Sequence, residues 1–374
     1  MRQNRVLILV ILALTLVAYT HCEMRLVFSL LSNGAKAPDS ESLNGLKEDV
    51  FGERWEQPGE LTAVGMRQHY LLGNRNRQRY SSLISPSFDV KEVLPVAIER
   101  NSTLSSLEAY LQGLYPQSTG PNLSGYQKNV AYPQGKAGLQ AFSQEILQAA
   151  PALPYNTQVF PVHTFMKKDW KYFFMYDDKV EDCEDLYYEM VDNQKTDATV
   201  QWLSDFKTKY SANLTIALGF SNDKVLEDYT YVHRMMKDFM SGFYEGKLHK
   251  RLIDAGINIQ DFNQTATDFL NYNLYNVQNS GEYGYLANAT FSTFGEEMLD
   301  WMDLRIELDQ ANIEYDEETQ PPKMIIYSVD DVVLASLMKY LQEQFLTKIH
   351  YVPYGSSLYF ELIRPDGKDS NTLT

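Results

Sequence analysis

The segment MRLVFSLLSNGAKAPDS, residues Met24 to Ser40, joins an apolar run to a short polar loop. The run from Met24 to Leu31 is almost continuously apolar, which is typical of a strand covered on both faces of a parallel sheet. Ligands of open α/β sheets bind beyond the carboxyl ends of the strands, so the loop from Ser32 to Pro38 is a candidate site. A plain turn is the simpler interpretation of a loop containing glycine and proline.

Strand and helix patterns alternate on either side of the middle of the chain, which predicts an α/β fold. The predicted strands are Val93–Ile98, interrupted by Pro95, then Thr157–Thr164 and Met324–Ser328. The predicted helices are an unbroken stretch over 61–80, a helix with the stripe Leu104, Leu107, Leu111 and Leu114, one over Glu297–Asn312, and one with the stripe Leu334, Leu337, Met338, Leu341 and Phe345.

The texture of the sequence divides the chain into four parts. Residues 166–294 are rich in Tyr, Phe, Asp and Met at helical spacing, which predicts an inserted, mostly helical cap. Residues 23–165 and 295–374 would then form the two parts of one α/β core. Residues 1–22 place Arg2 and Arg5 before the apolar run Val6–Val17, the layout of a secretory signal peptide.

That apolar run is shorter than the ~20 residues a spanning helix needs, so no membrane insertion is expected after signal removal. Five Asn-x-Ser/Thr sequons agree with export and predict N-glycosylation. They are Asn101, Asn122, Asn213, Asn263 and Asn288. The predicted location is the secretory pathway, either secreted or in lysosomes or vacuoles.

Charge and cysteine content exclude several classes of protein. The 374 residues carry a formal charge of −16, which opposes binding to nucleic acid and to anionic lipid. The two cysteines, Cys22 and Cys183, do not provide a disulfide framework. The acidic neighbours of Cys183 raise a thiol pKa, so no cysteine nucleophile is predicted.

The histidines outside the predicted signal peptide do not fall into a nucleophile or metal-ligand spacing. They are interpreted as hydrogen-bonded or surface residues: His69, His163, His233, His249 and His350. No cofactor and no metal are therefore predicted.

The stretch GELTAVGMRQHYLLGNRNRQRY, residues Gly59 to Tyr80, resembles the histidine acid phosphatase signature G-x-L-T-x-x-G-x-x-Q-x-x-x-L-G-x-x-x-R-x-x-Y. Four further segments are similar in the same order: LQGLYPQ from Leu111, VFPVHT from Val159, MIIYSVDDVVLASLM from Met324, and VPYGSSLYFEL from Val352. The resemblance covers residues 24–365. It implies a phosphoglycerate-mutase-like sheet core flanked by helices, an inserted helical cap, and hydrolysis of phosphate monoesters.

The catalytic motifs of that family are altered here. The resemblance places the family's loop R-H-G-x-R-x-P at residues 32–38, so Ser32 and Lys36 replace two phosphate-binding arginines and Asn33 replaces the nucleophilic histidine. The family's later His-Asp pair corresponds to Asp330 and Asp331, of which only the proton-donating Asp331 is retained.

The family's third arginine corresponds to Val96, counted back from the GLYP sequence with an uncertainty of one or two residues. Arg100 is the nearest basic alternative. With Val96 at that position, Lys36 opposes Asp330 and Asp331, and the predicted site has one net negative charge. Such a site repels a phosphate dianion.

An amide such as Asn33 is not a nucleophile, so the covalent phosphohistidine route is closed. The leading prediction is an inactive family member with a binding or vestigial role, in which Asn33, Lys36, Asp330 and Asp331 would bind a small polar ligand or a protein. One alternative is an acid phosphatase with a degenerate site that uses Asp331 as acid. Another is a cation site formed by Asp330, Asp331, Asn33 and Ser32, all with hard oxygen ligands.

Overall fold

The computed structural model describes residues 23–39, 48–131, 149–165, 195–219, 223–247, 249–278, 285–311, 321–331, 333–335, 337–338, 341 and 352–364. The strands within them are β1 Glu23–Ser32, β2 Val93–Ile98, β3 His163–Phe165, β4 Met324–Val329 and β5 Ser357–Arg364. The helices are α1 Ala63–Arg79, α2 Asn101–Leu114, α3 Gly125–Val130, α4 Asp197–Leu218, α5 Tyr229–Glu245, α6 His249–Asp254, α7 Ile259–Gln278 and α8 Tyr285–Ala311.

Several predictions fall outside the described residues. These are the signal peptide over 1–22, Cys22, Cys183, His350 and Phe345. Among the described residues, no helix has both the length and the apolar character needed to cross a bilayer.

The five strands form one sheet in the order β3-β2-β4-β1-β5. The pairs β1–β4, β2–β4 and β2–β3 are parallel, whereas β5 pairs with β1 in antiparallel orientation. The carboxyl ends of β1, β2 and β4 therefore meet at the same edge of the sheet. That edge carries the loop after Ser32, the segment after Ile98 and the pair Asp330-Asp331, so the α/β prediction and its two strand-end loops are confirmed.

Both faces of the sheet are covered, which explains the continuous apolar run of β1. On one face Phe28 stacks on Tyr327 at 5.4 Å between ring centroids and meets Phe294 of α8 at 5.2 Å. On the other face Val27 and Leu31 pack in a second apolar cluster with residues of α2. The central strands are thus buried on both sides, as in α/β proteins.

Helices α1 and α2 cross very closely beneath that second face. A Cβ atom at Gly73 of α1 would lie 2.0 Å from the carbonyl oxygen of Tyr110, and one at Gly113 of α2 would lie 2.0 Å from that of Tyr70. Both glycines are therefore required by backbone contact between the helices. The crossing fixes α1, which carries the signature segment, against the sheet.

A separate helical cluster lies in the middle of the chain. Its buried side chains come from α4, α5 and α7, with Phe206, Phe239 and Phe262 at its centre. The described residues 195–278 of the predicted cap form only helices. The boundary at 294/295 falls inside α8, whose Phe294 packs on the sheet core. The division into core and cap stays a prediction.

Two strands differ from the sequence-based expectation. The strand predicted over Thr157–Thr164 is confined to His163–Phe165, where it pairs with β2. Pro95 does not disrupt β2, since β3 pairs with β2 only from Val96 onward.

Strand β5 was not predicted from the sequence pattern. It pairs with β1, and Phe360 lies opposite Phe28.

Candidate functional site

The backbone amides of the loop after β1 donate to protein acceptors. Gly34 N–H donates to Ser106 Oγ of α2 at 3.1 Å, and Ala35 N–H donates to Gln68 Oε1 of α1 at 2.9 Å. Both amides are part of the loop over residues 32–38, in which an anion cradle would need unengaged donors. In this chain Gly34 and Ala35 use those donors to hold the loop on the two helices.

Ser32 is buried and faces the β5 side of the loop. Its hydroxyl oxygen accepts a hydrogen bond from Ser356 N–H at 2.9 Å and lies 3.4 Å from the carbonyl oxygen of Pro353. Its own carbonyl oxygen accepts from His69 Nε2 at 2.9 Å. Ser32 therefore fixes the loop and carries no positive charge at the site.

His69 lies fully buried in α1 below the loop. Burial lowers the pKa of His69 to about 4. The neutral ring donates from Nε2 to the loop, and within the described structure its Nδ1 is buried without a hydrogen-bond partner. The prediction that His69 is a hydrogen-bonded structural histidine is confirmed.

Asn33 is locked in the position that the family gives to its nucleophile. The residue is only 2% exposed, and its Nδ2 donates to Asp330 Oδ1 at 3.0 Å. Its carbonyl oxygen accepts from Gly355 N–H at 2.7 Å. Asn33 Oδ1 is buried without a hydrogen-bond partner among the described residues. The Asn33 side chain is thus held against a carboxylate and not presented to solvent.

Arg100, the basic alternative to Val96, lies beside Asp330 in the structure, whereas Val96 does not face the site. Val96 is 3% exposed and packs in the apolar cluster on the sheet face. Arg100 follows β2 as the N-cap residue of α2 and places its Nη1 3.1 Å from Asp330 Oδ2. The contact is an ion pair and not an aligned hydrogen bond, since Oδ2 accepts no hydrogen bond of good geometry.

Lys36 pairs with Asp39, three residues along the same loop. Its Nζ lies 3.0 Å from Asp39 Oδ1 and 3.2 Å from Asp39 Oδ2. Burial lowers the pKa of Lys36, but the carboxylates of Asp39 and Asp330 outweigh burial, and the pKa is raised. Burial likewise raises the pKa of Asp39, but Lys36 outweighs it and the pKa is lowered. The sequence set the charge of Lys36 against Asp330 and Asp331, and the structure gives Lys36 an ion pair with Asp39.

Two further residues, Asp331 and Tyr354, lie at the edge of the site. Asp331 is half-buried at the start of the helical segment after β4. Tyr354 acts electrostatically on Lys36, and its hydroxyl lies 3.3 Å from Ser241 Oγ of α5. Burial raises the pKa of Tyr354 to about 12, so its hydroxyl is neutral. Tyr354 and Ser241 therefore connect the segment before β5 to helix α5.

The structure adds two cations and one carboxylate to the predicted charge count. Three cations face three carboxylates, and the cluster has no net charge: Arg100, Lys237 and Lys36 against Asp39, Asp330 and Asp331. Lys36 and Arg100 are paired with side chains of the chain itself, which leaves little attraction for an added anion.

Sequence reasoning missed Asp39, Tyr354, Gln68 and Ser106 as residues that shape the site. Gln68 lies at the glutamine of the quoted signature, so that motif contained a signal for its role. The spacing of Lys36 and Asp39 gave no comparable signal, since the loop conformation alone brings them together.

The other candidate centres gain no support. His163 is exposed in the edge strand β3, and His233 is stacked on Tyr229 of α5 with its pKa lowered to about 3 by burial. No group of three or more His, Cys, Asp or Glu in the described part of the chain is arranged to hold a metal ion. The cation site considered from sequence lacks support here, because Ser32 binds the backbone and Asp330 faces Arg100.

Known protein families and curated proteins show sequence similarity to this chain. The family model described as histidine phosphatase superfamily (branch 2) matches residues 27–373. Lysosomal acid phosphatase of Xenopus laevis is 37% identical over 103 residues, 27% of this chain and 23% of that protein. The human lysosomal acid phosphatase is 40% identical over 83 residues, 21% of this chain and 20% of that protein. The matched segment spans about a quarter of the length of these curated relatives.

Solved structures are similar over most of the chain. The phytase of Klebsiella sp. ASR1 superposes with a TM-score of 0.56 at 14% identity, covering 92% of this chain and 80% of that chain. The phytase of Citrobacter braakii gives a TM-score of 0.54 at 13% identity, covering 92% and 82%. At this identity the likeness shows the fold alone, a mixed α/β core with a five-stranded sheet flanked by helices.

Proposed function

Because this chain belongs to branch 2 of the histidine phosphatase superfamily, we propose that it is a binding protein that keeps the family fold without the family's phosphohistidine chemistry. The observation that carries the proposal is Asn33, which lies where the nucleophile is expected and is held by Asp330 at 3.0 Å. An amide nitrogen has no lone pair available for attack on phosphorus, so the covalent intermediate does not form.

The electrostatic support for phosphoryl transfer is weakened as well. Such transfer needs cations and amide donors directed at the equatorial oxygens. Here Ser32 replaces a cation, Lys36 pairs with Asp39, and Arg100 pairs with Asp330. Loss of the nucleophile and loss of the unpaired cations are independent, so repairing one does not repair the other.

This independence gives a prediction for Asn33→His. The variant is expected to stay inactive on p-nitrophenyl phosphate at acid pH, because Asp330 and the substituted arginine positions still fail to hold the phosphoryl group. Both the variant and the wild-type protein should turn over far more slowly than ordinary enzymes, which reach roughly 10 per second. Strong rescue by this one change would show that the electrostatic loss is small.

An acid phosphatase with a degenerate site is the second candidate function. It is supported by the names of the relatives and by Asp331, the acid that the family motif retains. It requires another nucleophile, and the described residues at the site offer none next to a general base. Wild-type turnover of p-nitrophenyl phosphate that is lost in Asp331→Asn would favour this candidate.

Export to the secretory pathway, with secretion or lysosomal delivery, is part of the proposal. It is supported by the predicted signal sequence, by the sequons and by the similarity to proteins named lysosomal acid phosphatase. The ligand proposed for the cleft is a small polar molecule or a protein, with a cation or a neutral group preferred over a dianion.

Glycosylation is expected to be unequal among the sequons. Asn101 and Asn122 are exposed, whereas Asn213 and Asn263 are half-buried within helices. The Nδ2 of Asn213, the atom that would carry the glycan, donates to the carbonyl oxygen of Ala255 at 2.7 Å. Asn122 should therefore be occupied and Asn213 largely unoccupied when the chain is expressed in a glycosylating host.

Peptide mapping after deglycosylation measures the occupancy of each site. Asn122→Gln should shift the mobility of the intact protein, and Asn213→Gln should not. A protein without glycans, kept in the cytosol with residues 1–22 intact, would contradict the export assignment.

A further inference from the structure

The carboxylate of Asp330 is placed as a bound anion would be. Asp330 follows the buried strand β4 and its side chain is 5% exposed. One carboxylate oxygen accepts from Asn33 Nδ2 at 3.0 Å, and the other lies 3.1 Å from Arg100 Nη1. Lys36 is the third group that attracts the Asp330 carboxylate. Asp330 is among the charges that raise the pKa of Lys36.

We infer that Asp330 is the resident anion of a small-oxyanion site formed by Asn33 Nδ2, Arg100 and Lys36, so that the chain fills this site with its own carboxylate. The inference rests on the proposed function, for which it gives the reason why the cleft rejects a phosphate group. A tethered carboxylate has a high local concentration at its partners and needs no ordering from solution.

Whether the site takes up an anion from solution depends on the charge of Asp330. With the carboxylate removed, Arg100, Lys36 and Lys237 remain with Asp39 and Asp331, and the cluster gains one net positive charge. Arg100, whose side chain is 27% exposed, then loses its ion pair with Asp330, and a replacement anion restores that ion pair. Asn33 Nδ2 supplies a neutral donor beside it. The ligands expected are formate and inorganic phosphate.

The chain offers a matched control at the other end of the sheet. Asp309 of α8 is 9% exposed at its side chain and pairs with Arg25 of β1, with Arg25 Nε 2.6 Å from Asp309 Oδ2. Removing Asp309 also takes a carboxylate from a half-buried arginine, which keeps its ion pair with Glu23 and has no Asn33 or Lys36 beside it. Asp309→Ala therefore measures the loss of one carboxylate partner of an arginine outside the candidate site.

The experiment measures melting temperature against the concentration of formate and of phosphate, with sodium chloride at equal ionic strength as reference. Asp330→Ala should be stabilised by at least one of the two anions in a saturable way, with an affinity about tenfold or more above that of wild type, a ratio worth about 1.4 kcal/mol. Wild type and Asp309→Ala should respond as they do to chloride. Adding Arg100→Gln to Asp330→Ala should remove the gain.

Asp330→Ser removes the carboxylate and keeps a small polar side chain, so it serves if the alanine variant does not fold. No anion response in either Asp330 variant would overturn the inference, and so would an equal response in wild type. A wild-type protein that hydrolyses p-nitrophenyl phosphate would instead refute the proposed function, which these binding measurements do not involve.

Discussion

Gly73→Ala is expected to reduce the free energy of unfolding by about 3 kcal/mol, near the upper end of the usual cost of overpacking. The added Cβ would lie 2.0 Å from the carbonyl oxygen of Tyr110 and 2.9 Å from the amide nitrogen of Leu114. Both are backbone atoms, so no side chain can move to relieve the contact. Helices α1 and α2 would have to separate.

Separation of these helices should also disturb the candidate site. Helix α1 carries Gln68 and α2 carries Ser106, the two acceptors that hold the loop after β1. Gly125→Ala at the exposed start of α3 is the control, because nothing lies within 4 Å of a Cβ there. Urea denaturation of both variants gives the comparison. Equal midpoints would show that the crossing tolerates a methyl group.

Stability is expected to fall as the pH drops from about 6.5 to about 4, and His69 and His233, both with pKa values lowered by burial, should contribute to that loss. Burial lowers the folded-state pKa of His69 to about 4 from an ordinary value of 6.5. Within this interval the unfolded chain binds a proton at His69 and the folded chain does not. The contribution is therefore complete above pH 6.5 and is lost as the pH falls toward 4, at a cost of up to about 3 kcal/mol.

His69→Gln removes the titration and keeps a side-chain N–H that can donate to Ser32. The free energy of unfolding of this variant should vary less between neutral and acid pH than that of wild type, with His233 responsible for part of the variation that remains. Ser29→Ala is the control, since it changes a buried residue of the adjacent strand that does not titrate. An unchanged pH slope in His69→Gln would assign the acid sensitivity to other groups.

The sheet was predictable because β1, β2 and β4 have apolar runs that only double-sided burial explains. Strand β5 was missed, since its residues lie half-buried at the sheet edge and its pairing with β1 depends on a return of the chain from far away in sequence. Long-range pairing of this kind leaves little trace in a local pattern.

Residues of the site were predictable where a sequence motif specifies them. They were not predictable where the backbone conformation alone brings a residue to the site. Asn33, Asp330 and Asp331 follow directly from the family motifs. Arg100 was assigned second place because counting residues cannot detect that the chain leaves β2 after Ile98 and turns into α2. The ion pair of Lys36 with Asp39 could not be predicted for the same reason, since the loop conformation places Asp39 beside it.

The most direct test of the central claim is a search for a covalent phosphoenzyme. Purified protein is mixed with p-nitrophenyl phosphate at acid pH, quenched in acid within the time of a single turnover, and measured by intact-protein mass spectrometry. An active histidine acid phosphatase treated in parallel provides the positive control. We expect the control to gain the mass of one phosphoryl group and this protein to gain none, because Asn33 cannot attack phosphorus. A phosphoryl adduct on this protein that forms and decays with turnover would contradict the account.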